Sequence, residues 1–326
     1  MSRAPWTPLH AQLHRTLRLR HLLPKDRHLL IAVSGGQDSL CLIKLLIDLQ
    51  PKWNWKLAIA HCNHRLRTDS QANALHVKNL ANSWSIPYYG ATTDRSLPSE
   101  AAARQWRYKA LSKIAIAHDY QYIVTGHTSS DRAETLLYNL IRGSGADGLQ
   151  ALTWQRQLNC ELQLIRPLLQ IQRAATAQFC QAMQLPVWED STNLDLKYAR
   201  NRIRHELLPY LHTFNPQVEI ALAQTAELLH CEVEYLELAS HQLYAQARHP
   251  TEPLKLNCQV LQASPLALQR RVLRQLLQQA LDRSPNFEGI EKLIALISAP
   301  NKTQTDPLAG GAIAKVENGW IVLILP

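Results

Sequence analysis

The sequence predicts an α/β fold in which a doubly wound parallel sheet is followed by a second, mainly helical domain. Short apolar segments, the first at residues 29–33, alternate with segments of helix length along the first two thirds of the chain. This alternation is typical of a parallel sheet with helices on both faces. Beyond residue 213 the pattern changes to long stretches rich in Leu, Ala and Gln. We therefore expect an α/β domain at residues 1–213 and a mainly helical domain at residues 214–326.

Strands and helices are predicted in alternating order within the first domain. Residues 29–33 form an apolar, β-branched run that ends at Ser-Gly-Gly, as expected of a buried strand. The nearly all-apolar residues 39–49 predict a helix buried against the sheet, and Ser99 is placed to cap a helix that runs to about residue 118. Further strands are expected at residues 57–60, 87–90 and 122–125, further helices at 70–85 and 130–142, and a lead-in helix is expected to end near Pro24.

The second domain is expected to consist of helices that precede a short hairpin. Pro and Asn residues interrupt its sequence, which predicts helices at about residues 217–247, 264–281 and 286–298. Apolar runs at 312–316 and 320–325 flank an Asn-Gly pair. Such a pair between two strand-like runs indicates a β-hairpin.

Composition limits the class of protein. Apolar residues make up 46% of the 326 residues, so a disordered chain and a small disulfide-stabilised scaffold are excluded. No apolar run approaches the roughly 18 residues that cross a bilayer, so no membrane partner is expected. Six scattered cysteines without a C-x-x-C pair argue against a zinc ribbon or a dithiol redox motif. They indicate buried free thiols in a reducing compartment, with the cytoplasm as the expected location.

Positive charge is concentrated in the first domain. The formal net charge is +9 overall, +11 over residues 1–213 and −2 over residues 214–326. This distribution favours a polyanionic partner, although a merely soluble basic surface explains the charge equally well. Two sets of regularly spaced arginines are candidates for contacts with a polyanion, namely Arg104, Arg107, Arg200, Arg202 and Arg204.

A glycine-rich turn between the first predicted strand and helix carries the strongest chemical signal. It comprises Ser34, Gly35, Gly36, Gln37, Asp38 and Ser39. Adjacent glycines permit a tight turn, and the N–H groups that open the following helix form an anion site suited to phosphate. The lysine of a Walker A loop is missing, so the usual γ-phosphate site is excluded. Because Asp38 repels phosphate unless a cation lies between them, Mg²⁺ is expected there.

Other polar residues are predicted at the same edge of the sheet. Asp131 and Glu134 lie three apart at the start of a predicted helix, so they share a face toward the carboxyl ends of the strands. Acidic residues are also common there simply because they complement the helix dipole. His61, His64 and His127 could imitate a zinc site. Two histidines three apart at a strand end do not share a face, so ordered polar residues fit better than zinc ligands.

These residues resemble a known family. The six-residue turn is similar to the S-G-G-x-D-S loop of N-type ATP pyrophosphatases, which use ATP to adenylate a carbonyl oxygen and release pyrophosphate. Further motifs narrow the resemblance to the tRNA(Ile)-lysidine synthetase family and cover about residues 29–209 in order. The motifs lie at residues 61–67, 100–108, 125–127, 131–135, 142–149, 166–169, 189–193 and 200–204.

The resemblance implies a PP-loop ATPase fold and a two-step reaction. The C2 oxygen of the wobble cytidine, in the CAU anticodon of tRNA(Ile), is first adenylated by ATP. The ε-amine of free L-lysine then attacks C2 to give lysidine and AMP. ATP and Mg²⁺ are the implied cofactors, tRNA(Ile) and lysine are the implied partners, and a homodimer stays open.

The resemblance also implies roles for residues. ATP contacts are expected from Ser34 to Ser39, His61 and Gly126, with Asp38 holding Mg²⁺ through ATP. Asp131 and Glu134 are expected to position or deprotonate lysine, and which of them is the base stays open. The arginines are expected to contact phosphate or tRNA: Arg104 and Arg107 in the catalytic set, and Arg200, Arg202 and Arg204 on tRNA.

The sequence departs from the family pattern at two places. Thr128-Ser-Ser precedes Asp131 where the family often has a second histidine and adjacent aspartates, and Asn63 replaces a frequent acidic residue. Both departures make Asp131 and Asp38 more important as the anionic groups of the site.

A tRNA thiolase shares the ATP loop but normally needs a cysteine pair or iron–sulfur ligands. A non-catalytic RNA-binding protein is the other alternative, against which the intact Asp38 and Ser39 argue.

Overall fold

The computed structural model describes residues 6–65, 69–94, 99–189, 192, 195–281, 285–308 and 310–326. The chain divides into two compact units, Met1–Leu229 and His230–Pro326. This division lies within a helix that begins at Val218. The expected domain boundary between residues 213 and 214 therefore stays a prediction.

The first unit alternates strands and helices in the predicted order. Ser99 caps its helix as expected, because its Oγ accepts a hydrogen bond from the N–H of Ala102 at 3.2 Å. The lead-in helix ends at Leu19 rather than near Pro24, since His21 and Leu23 adopt positive φ values of 52° and 50°. The elements are α1 (Pro8–Leu19), β1 (His28–Ala32), α2 (Gln37–Trp53), β2 (Lys56–Asn63), α3 (Ser70–Ser83), β3 (Tyr88–Thr92), α4 (Glu100–Ala117), β4 (Tyr122–Thr125) and α5 (Ser129–Ile141).

Shorter elements that the sequence pattern does not predict follow α5. They are α6 (Ala146–Leu149), β5 (Gln155–Gln157), β6 (Gln163–Ile165), α7 (Arg173–Ala182), α8 (Ala199–Arg202), a π-helical turn (Ile203–Leu207) and α9 (Leu208–His212). Within the described residues, six strands form one sheet in the order β3-β2-β1-β4-β6-β5. Neighbouring strands are parallel except for β5, which runs antiparallel to β6. The predicted parallel sheet is confirmed, with one antiparallel edge strand in addition.

The sheet is covered on both faces, as a doubly wound fold requires. Along β1, Leu29 and Ile31 are fully buried in one core together with Leu45 of α2. Leu30 between them is fully buried in a second core with Leu111 of α4. Alternate residues of a strand point to opposite faces, so this division places α2 and α4 on opposite sides of the sheet.

The second unit contains the predicted helices and hairpin. Its elements, with the helix that enters it, are α10 (Val218–Ala247), β7 (Lys255–Asn257), α11 (Cys258–Gln262), α12 (Leu266–Ala280), α13 (Phe287–Leu296), β8 (Ile313–Glu317) and β9 (Trp320–Ile324). Asn318 and Gly319 both have positive φ, 51° and 82°, as a two-residue hairpin turn requires. The short β7 pairs with β9 and makes the hairpin a three-stranded antiparallel sheet. In the described part of the chain, no helix combines the length and apolar character needed to cross a membrane.

Candidate active site

A cavity of about 650 Å³ opens at the carboxyl edge of the six-stranded sheet. Ser34 after β1 and Gly126 after β4 both line it, and the strand order reverses between these two strands. Open α/β sheets bind ligands at such a reversal. The remaining lining includes the predicted Asp38, Ser39, His61, Arg104, Arg107, Asp131, Glu134, Arg200 and Arg204.

The turn after β1 is shaped by internal hydrogen bonds and by a glycine requirement. Gly35 has a φ of +93°, and a Cβ there would lie 2.5 Å from Asn73 Oδ1. The Ser34 N–H donates to Ser39 Oγ at 3.2 Å, and Ser39 Oγ donates to the carbonyl oxygen of Gly36 at 2.8 Å. Asn73 Nδ2 donates to the carbonyl oxygen of Ser34 at 3.0 Å, so a side chain of α3 also stabilises the turn.

Gly126 and His61 support the same turn from neighbouring strands. A Cβ on Gly126 would lie 2.8 Å from the carbonyl oxygen of Asp38 and 3.1 Å from the Ser39 nitrogen. Because both are backbone atoms, a side chain at residue 126 would displace the turn. His61 Nδ1 bonds the carbonyl oxygen of Val33 at 2.8 Å, which fixes the ring at the end of β1.

The three predicted carboxylates meet at Arg173 of α7, a residue that sequence reasoning missed. Arg173 donates from Nη2 to Asp131 Oδ1 at 2.6 Å, from Nη1 to Glu134 Oε1 at 2.9 Å and from Nε to Asp38 Oδ2 at 3.2 Å. Thr176 Oγ1 donates to the other Asp38 oxygen. The one feature of the sequence that could have drawn attention to Arg173 is its position, four residues after the motif at 166–169. We call Asp38, Asp131, Glu134 and Arg173 the carboxylate cluster.

Of the three predicted tRNA arginines, two line the cavity. Arg204 donates from Nε and Nη2 to the two oxygens of Glu134 at 2.7 and 2.9 Å. Glu134 is only 2% exposed, so these bonds satisfy a charge that water does not reach. Arg200 also lines the cavity, whereas the side chain of Arg202 is 66% exposed and pairs with Glu206. Residues two apart on a helix do not share a face, which separates Arg202 from its neighbours.

Opposing effects set the protonation of the two aspartates. Burial raises the pKa of Asp38 above its usual value, and Asp131 adds to this, although Arg173 opposes it. Burial would also raise the pKa of Asp131, but Arg173 and hydrogen bonds from Thr128 outweigh it and hold this pKa below its usual range. Asp131 is therefore ionised at neutral pH.

A basic region faces the cavity from α4. Among the side chains that the structure describes, no carboxylate forms an ion pair with Arg104 or Arg107. Their guanidinium carbons lie 5.5 and 5.6 Å from the ring centre of Tyr108. Burial would raise the pKa of Tyr108, but Arg104, Arg107 and Arg166 lower it to about 8. Cations that stabilise a phenolate in this way also stabilise a phosphate.

His127, which lines the cavity, is neutral. Desolvation lowers its pKa to about 3 despite the neighbouring Asp131. Its Nδ1 lies 2.9 Å from Thr125 Oγ1. Within the residues that the structure describes, no three His, Cys, Asp or Glu side chains are arranged to hold a metal ion.

The two departures from the family pattern have local structural roles. Thr128 caps α5, because its N–H donates to Asp131 Oδ2 at 2.7 Å and its Oγ1 accepts from the Asp131 N–H at 3.4 Å. Asn63 donates from Nδ2 to the carbonyl oxygen of Ser70 at 3.2 Å and accepts from the Arg65 N–H at 2.9 Å. The other motif residues Leu66, Arg67, Asp190, Ser191 and Asn193 lie outside the described residues.

Comparison with known proteins gives both a family and a fold. A model of the PP-loop domain matches residues 9–211, and a model of the TilS substrate binding domain matches residues 256–319. The chain is 64% identical to a tRNA(Ile)-lysidine synthase of Nostoc sp., covering 98% of this chain and 97% of the relative. It is 52% identical to a tRNA(Ile)-lysidine synthase of Synechocystis sp., with 97% of both chains covered.

A solved structure shows the same fold at low sequence identity. The U34-tRNA thiolase of Methanococcus maripaludis, solved with its 4Fe–4S cluster, superposes with a TM-score of 0.57. The two are 17% identical, and the match covers 68% of this chain and 77% of the thiolase. This likeness establishes only the fold. Because the PP-loop model matches most of the chain and the curated relatives match nearly all of it, the chain belongs to the tRNA(Ile)-lysidine synthase family.

Proposed function

We propose that the protein joins lysine to C2 of the wobble cytidine in the CAU anticodon of tRNA(Ile), converting ATP to AMP and pyrophosphate. One observation carries the proposal: a phosphate-suited turn, a carboxylate cluster and the two arginines of α4 converge on a single cavity. Membership of the tRNA(Ile)-lysidine synthase family supports the same reaction. In the first step the C2 oxygen attacks the α-phosphorus and pyrophosphate leaves. In the second step the lysine amine attacks C2, and AMP leaves with that oxygen.

ATP fits the turn between β1 and α2. The helix offers its opening N–H groups, and Gly35 and Gly126 let Asn73 and the backbone of Asp38 pack closely enough to hold the turn in shape. Arg104 and Arg107, which line the same cavity, supply positive charge. Mg²⁺ fits beside Asp38, because a nearby cation stabilises a carboxylate whose charged form burial disfavours. Since no described cluster forms a metal cage, phosphate oxygens and water would complete the coordination of Mg²⁺.

Lysine fits the carboxylate cluster through its ε-ammonium group. Free lysine has a pKa near 10.4, so only about one molecule in a thousand carries a neutral side chain at pH 7.4, a handicap of about 4 kcal/mol. A carboxylate with a lowered pKa is a weak base. Asp131 therefore positions the ammonium rather than acting as its base. The ammonium loses a proton to solvent, and the neutral amine then attacks C2.

Thiolation is less well supported than lysine transfer. Cys62 lines the cavity, but burial raises the pKa of its thiol to about 11, which leaves little thiolate at neutral pH. The fold brings Cys41 and Cys180 into contact, a pairing that their sequence positions did not predict. Both thiols are buried, and neither lines the cavity. The expectation that all six cysteines are buried is wrong for Cys160 and Cys231, which are exposed.

The product identifies the reaction directly. The full chain is incubated with ATP, Mg²⁺, labelled lysine and either the isoleucine or the methionine tRNA with a CAU anticodon, and nucleosides are analysed by mass spectrometry. Label is expected on cytidine of the isoleucine tRNA alone. Pyrophosphate release without labelled nucleoside, or a sulfur-bearing nucleoside when sulfide replaces lysine, would contradict the proposal.

Affinity for tRNA is expected to depend steeply on salt. The first 213 residues carry a net charge of +11, and each neutralised phosphate releases condensed counterions. Arg202→Ala is expected to reduce the slope of log Kd against log salt by about one unit, because the exposed guanidinium is suited to a single phosphate contact. Fluorescence anisotropy with labelled tRNA measures both slopes. An unchanged slope in this variant removes Arg202 from the tRNA contact.

A further inference from the structure

Arg173 joins the phosphate turn to the residues expected to receive lysine. Its guanidinium spans Asp38, which opens α2, and Asp131 and Glu134, which lie in the first turns of α5. These carboxylates belong to two helices that follow different strands of the sheet. A single planar group with several N–H donors is suited to hold carboxylates in a fixed arrangement, which a lysine ammonium would do less well.

The backbone of Arg173 is tied to the same two helices. Gln37 Nε2 donates to its carbonyl oxygen at 3.0 Å, and its own N–H donates to Ser130 Oγ at 3.3 Å. Three of the predicted ATP-binding residues, Gly35, Gly36 and Gln37, do not line the cavity, and Gln37 bonds α7 instead. A displacement of the turn would therefore reach Arg173 through both its side chain and its main chain.

Before nucleotide and Mg²⁺ bind, the carboxylate cluster and Arg204 together carry one uncompensated negative charge. Asp38, Asp131 and Glu134 carry three negative charges, and Arg173 and Arg204 carry two positive charges. The remaining negative charge matches one ammonium group. Arg173 bonds Asp38, which lies in the turn itself, so its guanidinium is close to any phosphate bound there. A triphosphate bound at the turn would therefore attract the guanidinium. Arg173 would then hold Asp131 and Glu134 less strongly, and these would be freer to bind an ammonium.

We propose that Arg173 is a positioning residue that couples the nucleotide site to the lysine site, so that a nucleotide at the turn strengthens lysine binding. This inference rests on the proposed function. Thermodynamic linkage requires the converse as well, namely that lysine strengthens nucleotide binding by the same factor. Removal of the guanidinium separates the two sites, while each retains its own remaining contacts.

Calorimetric titration of the full chain tests the coupling without turnover. L-lysine is titrated with and without a non-hydrolysable ATP analogue and Mg²⁺, in the absence of tRNA. For the unaltered protein we expect the analogue to lower the lysine Kd at least about fivefold. In Arg173→Gln the two Kd values are expected to agree within about twofold. Arg20→Gln is the matched control, since Arg20 also makes a charge-assisted bond at 2.7 Å, but to Glu227, a carboxylate outside the carboxylate cluster and outside the lining of the cavity. This control should keep the full coupling.

The outcomes separate this inference from the proposed function. Failure of the unaltered protein to bind lysine under any condition contradicts the proposed function, and the inference with it. Lysine binding without coupling, or equal coupling in the unaltered protein and Arg173→Gln, overturns the inference alone. Arg173→Lys keeps the charge and serves if the glutamine variant does not fold, as judged by thermal melting. Its coupling should also fall, because one ammonium does not bridge three carboxylates, and undiminished coupling would refute the role of Arg173.

Discussion

Replacing Asp38 with asparagine is expected to lower the rate of pyrophosphate release by about 10³-fold, with little change in tRNA affinity. Asp38 is the carboxylate within the phosphate turn, and its side chain lines the cavity beside the turn. Asparagine keeps an oxygen that can accept the hydrogen bond from Thr176 but removes the charge that would face a cation. The loss should therefore reside in the chemistry of ATP rather than in the fold.

Asp48→Asn provides the matched control for this prediction. Asp48 lies ten residues further along α2 and is likewise paired, with Lys44 at 2.6 Å and His10 at 3.1 Å. It does not line the cavity, so its variant should release pyrophosphate at close to the normal rate. Release is measured with tRNA and ATP in the absence of lysine. Near-normal release by Asp38→Asn, or an equal loss in both variants, would remove Asp38 from the adenylation step.

The sequence was most informative where apolar runs alternate with turn residues. The strands β1, β2 and β4 each contain a run of buried apolar residues next to polar or turn residues, so their pattern identifies them without tertiary information. The carboxyl ends of parallel strands lie at one edge of a sheet, and this rule alone predicts that Ser34, His61 and Gly126 lie close together. The spacing of Asp131 and Glu134 likewise placed both carboxylates at the cavity.

The stretch between α5 and α10 could not be predicted in the same way. The strands β5 and β6 have three residues each, too few to show a period, and the three residues of β5 are exposed. Their pairing depends on the neighbouring β4 rather than on local preference. The role of Arg173 was missed for a related reason. An arginine at the start of an unpredicted helix gives no local indication that three distant carboxylates lie around it.

The arginines show the same limit at the level of single residues. Arg200, Arg202 and Arg204 look equivalent in the sequence, but α8 and the π-helical turn direct them differently. Arg204 binds the buried Glu134, whereas Arg202 remains in solvent. Their spacing was sufficient to predict a basic segment near the site, and insufficient to say which of them reaches it.

Asp131→Asn is expected to separate the two steps of the reaction. Pyrophosphate release should stay within about threefold of normal, while lysine transfer falls by about 10²–10⁴-fold, the usual contribution of a residue that orients a reacting group or its proton. The asparagine can still accept the hydrogen bond from the Thr128 N–H, so the start of α5 should be preserved. Asp119→Asn is a suitable control, because Asp119 is 85% exposed and does not line the cavity.

The pH dependence of lysine transfer distinguishes positioning by Asp131 from removal of a proton in advance. The Asp131 pKa is already below its usual range, so this carboxylate stays ionised from neutral pH down to acidic pH. The rate of transfer should therefore rise with pH above 7, as the lysine amine with its pKa near 10.4 loses its proton. Protonation of Asp131 should cause no fall in the rate near neutral pH. In Asp131→Asn the rise should remain while the rate at every pH is lower. Rapid-quench measurement of labelled lysidine from pH 6 to 10 gives both profiles. A rate that is flat above pH 7 in the unaltered protein, with a rise only in the variant, would mean that Asp131 itself takes the proton, and an equal loss of pyrophosphate release would place Asp131 at the nucleotide instead.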